Sequence, residues 1–304
     1  MSGAAGGGPR SVRYGVVPAG GLGTRFLPIS RIVPKELLPI VDTAVIELVV
    51  GELAAAGIRD VVLVVAPGKE TVAAYFQPNE RMARRLATEF RADELALLRR
   101  PETLARVRAV TQPEPLGNGH AVLMARSLVG DEPFALLWGD DVMPGPDPAI
   151  GRLLAARERL GGGSVVGCMR VAPADAERYG MIAGTEVDER TRRVLGIVEK
   201  PRPADAPSDL AAVHGYVLEP EIFDVLARLR PGRGGELWLT DAIAALVREG
   251  GVVWSVELAG PRYDTGDKLG YLVASLDAML TRPDTGPAIH EHLRRLGWKP
   301  PAGR

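Results

Sequence analysis

Val16-Val17-Pro18-Ala19-Gly20-Gly21-Leu22-Gly23-Thr24-Arg25 is the stretch on which the fold turns. The apolar run Tyr14–Val17 leads into it and reads as a strand. Three glycines within four positions then let the backbone turn sharply and leave amide N–H groups uncovered. Such a nest suits phosphate oxygens, and open α/β sheets bind ligands at this place, beyond the carboxyl ends of strands. Taken alone, the loop is equally a tight strand-to-helix turn with no ligand. Two familiar phosphate motifs do not fit it. The dinucleotide fingerprint needs a third glycine where this chain has Phe26, and the P-loop needs Gly-Lys-Ser/Thr, which is absent.

Outward from this loop, Val/Leu/Ile-rich runs near Val61–Ala66, Phe134–Trp138, Ser164–Met169, Val194–Val198, Val213–Leu218 and Val252–Val256 read as strands, with Val107–Val110 a further short run. Several are apolar without alternation, as strands covered on both faces are. Between the first two strands, Val45, Ile46, Val49, Val50 and Leu53 recur at helical spacing, with Asp42 the expected N-cap and Gly57 the stop. A strand, a crossover helix and a strand imply a parallel pair. The expected fold is therefore α/β and Rossmann-like: a three-layer arrangement with a mixed, mostly parallel sheet and helices on both faces. Arg81–Arg100 reads as a solvated, charge-rich helix and Pro201–Asp209 as a surface loop.

The chain of 304 residues is 46% hydrophobic and 25% charged, with a net charge of −1. That balance is ordinary for a globular protein and offers no general positive field for nucleic acid or an anionic membrane. Anionic substrates must then be held by a few placed cations. The single cysteine, Cys168, cannot form an internal disulfide and fits a buried strand. No apolar stretch approaches the ~18–20 residues that span a bilayer, so a cytoplasmic protein is expected. Residues 1–11 read as a flexible Gly/Ala-rich leader and 12–283 as a single domain. Its nucleotide-binding part is expected over about 12–145 and its sugar-binding part over about 146–283, with a C-terminal helix and polar tail over 284–304.

The segment after the glycine loop, Phe26-Leu27-Pro28-Ile29-Ser30-Arg31-Ile32-Val33-Pro34-Lys35-Glu36-Leu37-Leu38-Pro39, cannot be one helix, because three prolines interrupt it. A stiff loop carrying Arg25, Arg31 and Lys35 holds cations over a polyphosphate at little entropic cost. Gln112 offers an amide donor and acceptor for a base edge, and the glycines of Gly117-Asn118-Gly119-His120 permit close approach. Asp140 and Asp141 end an apolar strand, where carboxylates suit a hard cation, although Asp141 is equally an exposed turn residue. Asp264 brings a further acid, and Asp267 reads as a helix cap. Glu199-Lys200-Pro201 ends another strand, and Thr240 is the expected N-cap of the following helix.

The glycine loop, Thr24-Arg25 and Pro34-Lys35-Glu36-Leu37-Leu38-Pro39 together resemble the signature of the sugar-nucleotide pyrophosphorylases, the sugar nucleotidyltransferase family. Further motifs follow in the expected order from Val12 to Leu280, most similar to the bacterial enzymes using UTP and glucose 1-phosphate, with thymidylyl enzymes next. The resemblance implies that Arg25 and Lys35, which bind the triphosphate, are catalytic together with Lys200. It places Ala19, Gly20, Gly21, Gly23, Thr24, Gln112 and Gly117 on the nucleotide, and Gly180, Glu199 and Lys200 on the sugar phosphate. It implies Mg²⁺ on Asp140 and Asp264, UTP and glucose 1-phosphate as substrates, and a homodimer or homotetramer. Departures from the family pattern are Arg31 for lysine, Thr43-Ala44 for Lys-Pro, Asn118 for an apolar residue, Asp209 for asparagine, His214-Gly215 for Gly-Arg and Trp238 for glutamine. Three alternatives stay open: dTTP, another sugar phosphate, or a non-catalytic binding protein that regulates a pathway. A further reading, a nucleotide-dependent oxidoreductase, is disfavoured because the chain lacks that class's glycine fingerprint.

Overall fold

The computed structural model describes residues 8–298; the parts of the expected leader and tail at 1–7 and 299–304 lie outside them. Nine strands form the main sheet: β1 (Tyr14–Pro18), β2 (Asp60–Val65), β3 (Arg106–Thr111), β4 (Phe134–Leu137), β5 (Ser164–Arg170), β6 (Gly180–Glu186), β7 (Thr191–Glu199), β8 (Leu210–Leu218) and β9 (Val253–Glu257). Their order is β3-β2-β1-β4-β8-β5-β9-β7-β6. The pairs β1–β2, β1–β4, β2–β3 and β5–β9 are parallel, as the crossover argument requires. The pairs β4–β8, β8–β5, β9–β7 and β7–β6 are antiparallel. The sheet is mixed, and the expectation that it is mostly parallel holds only for its first half. The physical reason lies in the connections. β6 and β7 are joined by a short turn, which permits only a hairpin, and β8 runs against both of its neighbours.

The principal helices are α1 (Val45–Ala55), α2 (Asn118–Met124), α3 (Ala149–Arg159), α4 (Glu221–Arg228), α5 (Leu239–Arg248) and α6 (Lys268–Thr281). Successive strand residues feed two separate cores. Val17, Leu63 and Leu137 pack with Ile46 and Leu53 of α1 and Ile150 of α3. Val16, Val62, Val64 and Leu136 pack with Val122 of α2, Phe223 of α4 and Ile243 of α5. Because neither face meets water, these strands carry apolar residues at consecutive positions, as in Val61–Val65 and Phe134–Leu137. Cys168 is fully buried in β5, and burial pushes its thiol up to about 12, so it is inert at neutral pH.

The order β3-β2-β1-β4 reverses direction between β1 and β4, and the crevice beyond their carboxyl ends is the natural ligand site. Two local expectations are corrected here. Helix α1 begins at Val45 after the short pairing of Pro39–Ile40 with Thr43–Ala44, so Asp42 caps nothing and instead accepts from Arg282 at 2.6 Å. The charge-rich stretch breaks at Phe90 (φ 56°) into helices Glu80–Thr88 and Ala92–Leu104. Gly57 does close α1, with φ 90° and the Ile58 amide donating to Leu53 at 2.9 Å. Among the described residues, no helix is long and apolar enough to cross a membrane.

Candidate active site

The site starts where β1 stops. The Ala19 amide extends the pairing with β2 by donating to Val64 at 2.8 Å, and the glycine loop then leaves the sheet. Gly20 sits so close to Gln112 that an added Cβ would lie 3.1 Å from its Oε1. Gly23 adopts φ 66° and opens the 3-10 turn Thr24–Phe26, followed by turns Ile29–Arg31 and Lys35–Leu37. These short turns are what the three prolines leave possible. They bring the Lys35 ammonium to 3.6 Å from where a Gly21 Cβ would stand, beside the loop amides. Arg31 is exposed on the same segment.

Arg25, Asp140, Gly180, Glu199, Lys200 and Asp264 line one cavity of about 310 Å³. Lys35 forms an ion pair with Asp140 at its wall, and Arg25 Nη1 donates to the Gly266 carbonyl at 3.3 Å. Burial works against the Lys35 charge, yet Asp140, Glu36 and Asp264 outweigh it and hold the ammonium above its ordinary pKa. Burial, and then the charge of Asp140, raise the Asp264 carboxyl above its ordinary value. Both carboxylates converge on Gly266, where any side chain would collide with them. Two acids held this close repel until a cation joins them.

On the base side, the Gln112 amide nitrogen donates to the Gly117 carbonyl at 3.0 Å and meets His120 Nδ1 at 3.1 Å. The amide donors are thus held by the protein, and Oε1 remains beside Gly20. His120 orients this glutamine. Gly117 has φ 101° and no room for a Cβ, which would lie 2.5 Å from the Leu237 carbonyl.

On the sugar side, Glu199 ends β7 and Lys200 follows it. Lys200 adopts a left-handed backbone, φ 46°, with its amide donating to Tyr179 at 2.9 Å. A non-glycine residue in that region costs about 1–3 kcal/mol and occurs preferentially at functional sites. Its ammonium lies 3.4 Å from Glu199 Oε1 and 4.2 Å from the centre of the Trp238 ring. The expected cap role of Thr240 is corrected: Trp238 is the capping position of α5, and Asn118 Oδ1 accepts from the Leu239 amide at 2.9 Å. That frees the Thr240 hydroxyl to donate to Glu199 Oε2 at 2.8 Å. The departure at Asn118 is thereby a helix cap supplied from a neighbouring helix. Asp209 pairs with Arg170 at 2.8 Å, away from the cavity.

Asp141, offered by the sequence as an exposed turn residue, is 3% exposed and sits in a buried charged cluster. Arg262 Nε donates to its Oδ2 at 2.8 Å, and His214 Nδ1 to its Oδ1 at 3.3 Å. His214 Nε2 donates to Glu52 Oε1 at 2.9 Å. Burial opposes the imidazolium, but Asp141 and Glu52 together raise its pKa to about 9. Burial also disfavours the Asp141 carboxylate, and the His214 hydrogen bond with the Arg262 charge nonetheless holds it below the ordinary value. The cluster clamps α1, β8 and the segments carrying Asp140 and Asp264 to one another. Asp267 is a cap as expected, accepting from the Leu269 amide at 3.0 Å.

A glycine loop at the switch point, three cations and two convergent carboxylates define the class as a nucleotidyl transferase, and the family model of that description matches residues 14–279. The chain is 39% identical over 287 residues to UTP–glucose-1-phosphate uridylyltransferase 2 of Staphylococcus saprophyticus, covering 94% of this chain and 99% of that one. It is 38% identical over 268 residues to UTP–glucose-1-phosphate uridylyltransferase of Bacillus subtilis, covering 88% and 91%. The solved structure of UTP-bound UGPase from Acinetobacter baumannii superposes with TM-score 0.85 at 34% identity, covering 94% of this chain and all of that one. A UDP-glucose pyrophosphorylase complexed with UDP-glucose gives 0.79 at 31% identity, covering 90% of this chain and 100% of that one. The chain therefore belongs to the nucleotidyl transferase family and, within it, to the UTP–glucose-1-phosphate uridylyltransferases.

Proposed function

We propose that this protein transfers the uridylyl group of UTP to glucose 1-phosphate, forming UDP-glucose and pyrophosphate. The observation that carries the reading is the convergence of Arg25, Lys35 and Lys200 with Asp140 and Asp264 around one cavity beyond β1 and β4. A phosphate oxygen of the sugar phosphate attacks the α-phosphorus in line, forming one P–O bond as the bond to the leaving pyrophosphate breaks. That oxygen is already ionised, so no general base is required. The difficulty is bringing two polyanions together: two unit charges about 4 Å apart cost roughly 4 kcal/mol at an effective dielectric near 20. Arg25 and Lys35 offset this on the triphosphate and Lys200 on the sugar phosphate. Glu199, oriented by Thr240, accepts from sugar hydroxyls, and Gly180, where a Cβ would lie 2.6 Å from Thr240 Cγ2, lets that threonine pack close beside Glu199. Gln112 and Gly117 shape the base subsite. Ala19, Gly20, Gly21, Gly23 and Thr24 wrap the phosphates. Catalysis is positioning plus electrostatic stabilisation.

Asp140 and Asp264 fit Mg²⁺, since they offer two hard oxygen donors whose mutual repulsion a divalent cation relieves. Among the described residues no cluster of three or more His, Cys, Asp or Glu that could hold a metal is found, so a cation held by Asp140 and Asp264 would need further ligands from substrate or water. When bound, Mg²⁺ supplies positive charge to the phosphates during transfer. A homo-oligomer in the cytoplasm belongs to the same reading. The exposed apolar stripe Leu269, Leu272, Val273 and Leu276 along α6 supports the association of copies.

The test is pyrophosphate release with Mg²⁺, offering UTP, dTTP, CTP, ATP and GTP against glucose 1-phosphate. Turnover with UTP is expected. Preference for another sugar phosphate would place the difference at Trp238 beside Lys200, and preference for dTTP would place it at the base subsite of Gln112 and Gly117. Nucleotide binding without turnover in any combination would refute the enzymatic reading.

A further inference from the structure

Lys69 lies four residues beyond β2, on the same edge of the sheet as the glycine loop. Its side chain is 13% exposed, and its ammonium donates to the Ala19 carbonyl at 2.7 Å, the Gly21 carbonyl at 2.9 Å and Glu36 Oε2 at 2.7 Å. An ammonium has three N–H groups, so all of them are engaged within the protein and none is left for a phosphate. Lys69 is therefore no direct ligand of the substrate.

The carbonyls it holds decide where the neighbouring amides point. In a trans peptide the C=O and the following N–H lie on opposite sides of the chain. Turning the Ala19 and Gly21 carbonyls onto Lys69 turns the amides of Gly20 and Leu22 to the other face of the loop. Glu36, 1% exposed, belongs to the turn Lys35–Leu37. One buried ammonium thus ties the glycine loop to the turn that presents Lys35. A plain structural ion pair would need only Glu36; the two loop carbonyls are what this geometry adds.

We propose that Lys69 is a positioning residue for nucleotide binding: it pins the Ala19 and Gly21 carbonyls and, through Glu36, the turn bearing Lys35, so that loop amides and ammonium are set before the triphosphate arrives. The proposal rests on the nucleotidyl-transfer reading above. Pre-organisation of this kind acts on the affinity for UTP and leaves the sugar phosphate subsite alone.

The experiment compares wild type with Lys69→Met and with the double variant Lys69→Met/Glu36→Gln, which removes the carboxylate that the single change would strand. Steady-state pyrophosphate release gives KM for each substrate, calorimetric titration with Mg-UTP gives Kd, and thermal unfolding reports the fold. Expected is a rise of about 10- to 100-fold in KM and Kd for UTP in both variants, the size of one or two charge-assisted hydrogen bonds. KM for glucose 1-phosphate stays within about twofold, and the double variant recovers Tm without recovering UTP affinity. Unchanged UTP affinity in the folded double variant, or equal rises in both KM values, overturns the proposal. Wild type that binds UTP without turnover would refute the transfer reading alone, and the calorimetric comparison would still decide the role of Lys69.

Discussion

Replacing His214 by glutamine removes a buried charge whose contribution can be worked out. The imidazole is fully buried, with Glu52 at 2.9 Å on one nitrogen and Asp141 at 3.3 Å on the other, and its pKa is raised from 6.5 to about 9. At 1.36 kcal/mol per pKa unit, the shift corresponds to about 3 kcal/mol of preferential binding of the proton by the folded state. Because the folded pKa lies above the unfolded one, that stabilisation is fully present below pH 6.5 and disappears as pH rises through 9. It also exceeds the roughly 1–2 kcal/mol that a left-handed backbone costs a non-glycine residue; His214 has φ 64°. Urea unfolding of wild type and His214→Gln, at pH values from about 6 to 9.5, measures the effect. Subtracting the two curves removes the shared contributions of the other histidines and the N-terminus. The gap should shrink by about 3 kcal/mol between pH 6.5 and 9, the wild type losing its advantage. A gap that stays constant over this window would mean that His214 is neutral in the folded protein and that the clamp is not ionic.

Lys200→Ala should lower kcat/KM by at least about 100-fold with Tm nearly unchanged, since the proposed mechanism sets this partly exposed lysine against the incoming phosphate; near-normal kcat/KM in a folded variant removes it from the mechanism. Gly117→Ala forces a Cβ to 2.5 Å from the Leu237 carbonyl at φ 101°, so chemical denaturation should show a loss of about 2–4 kcal/mol and kinetics a higher KM for UTP. Chelating divalent ions should abolish turnover while leaving the thermal unfolding midpoint nearly unchanged, because Asp140 already has Lys35 as a partner; undiminished turnover in chelator would exclude the two aspartates as a metal site.

Much of the candidate site was legible in the chain. The glycines, prolines and cations of residues 19–39 constrain a backbone locally, and local constraints are written in adjacent residues. The apolar strands and the helix after them were legible for the same reason, as was the buried setting of Cys168. Tertiary structure alone decided which strands pair antiparallel, since strand direction depends on how the chain returns between them. It alone took Asp141 from a turn into a buried cluster, because His214 and Arg262 reach it from 73 and 121 residues away and Glu52 joins through His214. Thr240 and Asn118 changed roles likewise: each side chain hydrogen-bonds well with either its own helix start or a neighbour, and only packing selects between them. Lys69 makes the same point, for its partners lie on segments that meet only after the sheet has formed and desolvated them together.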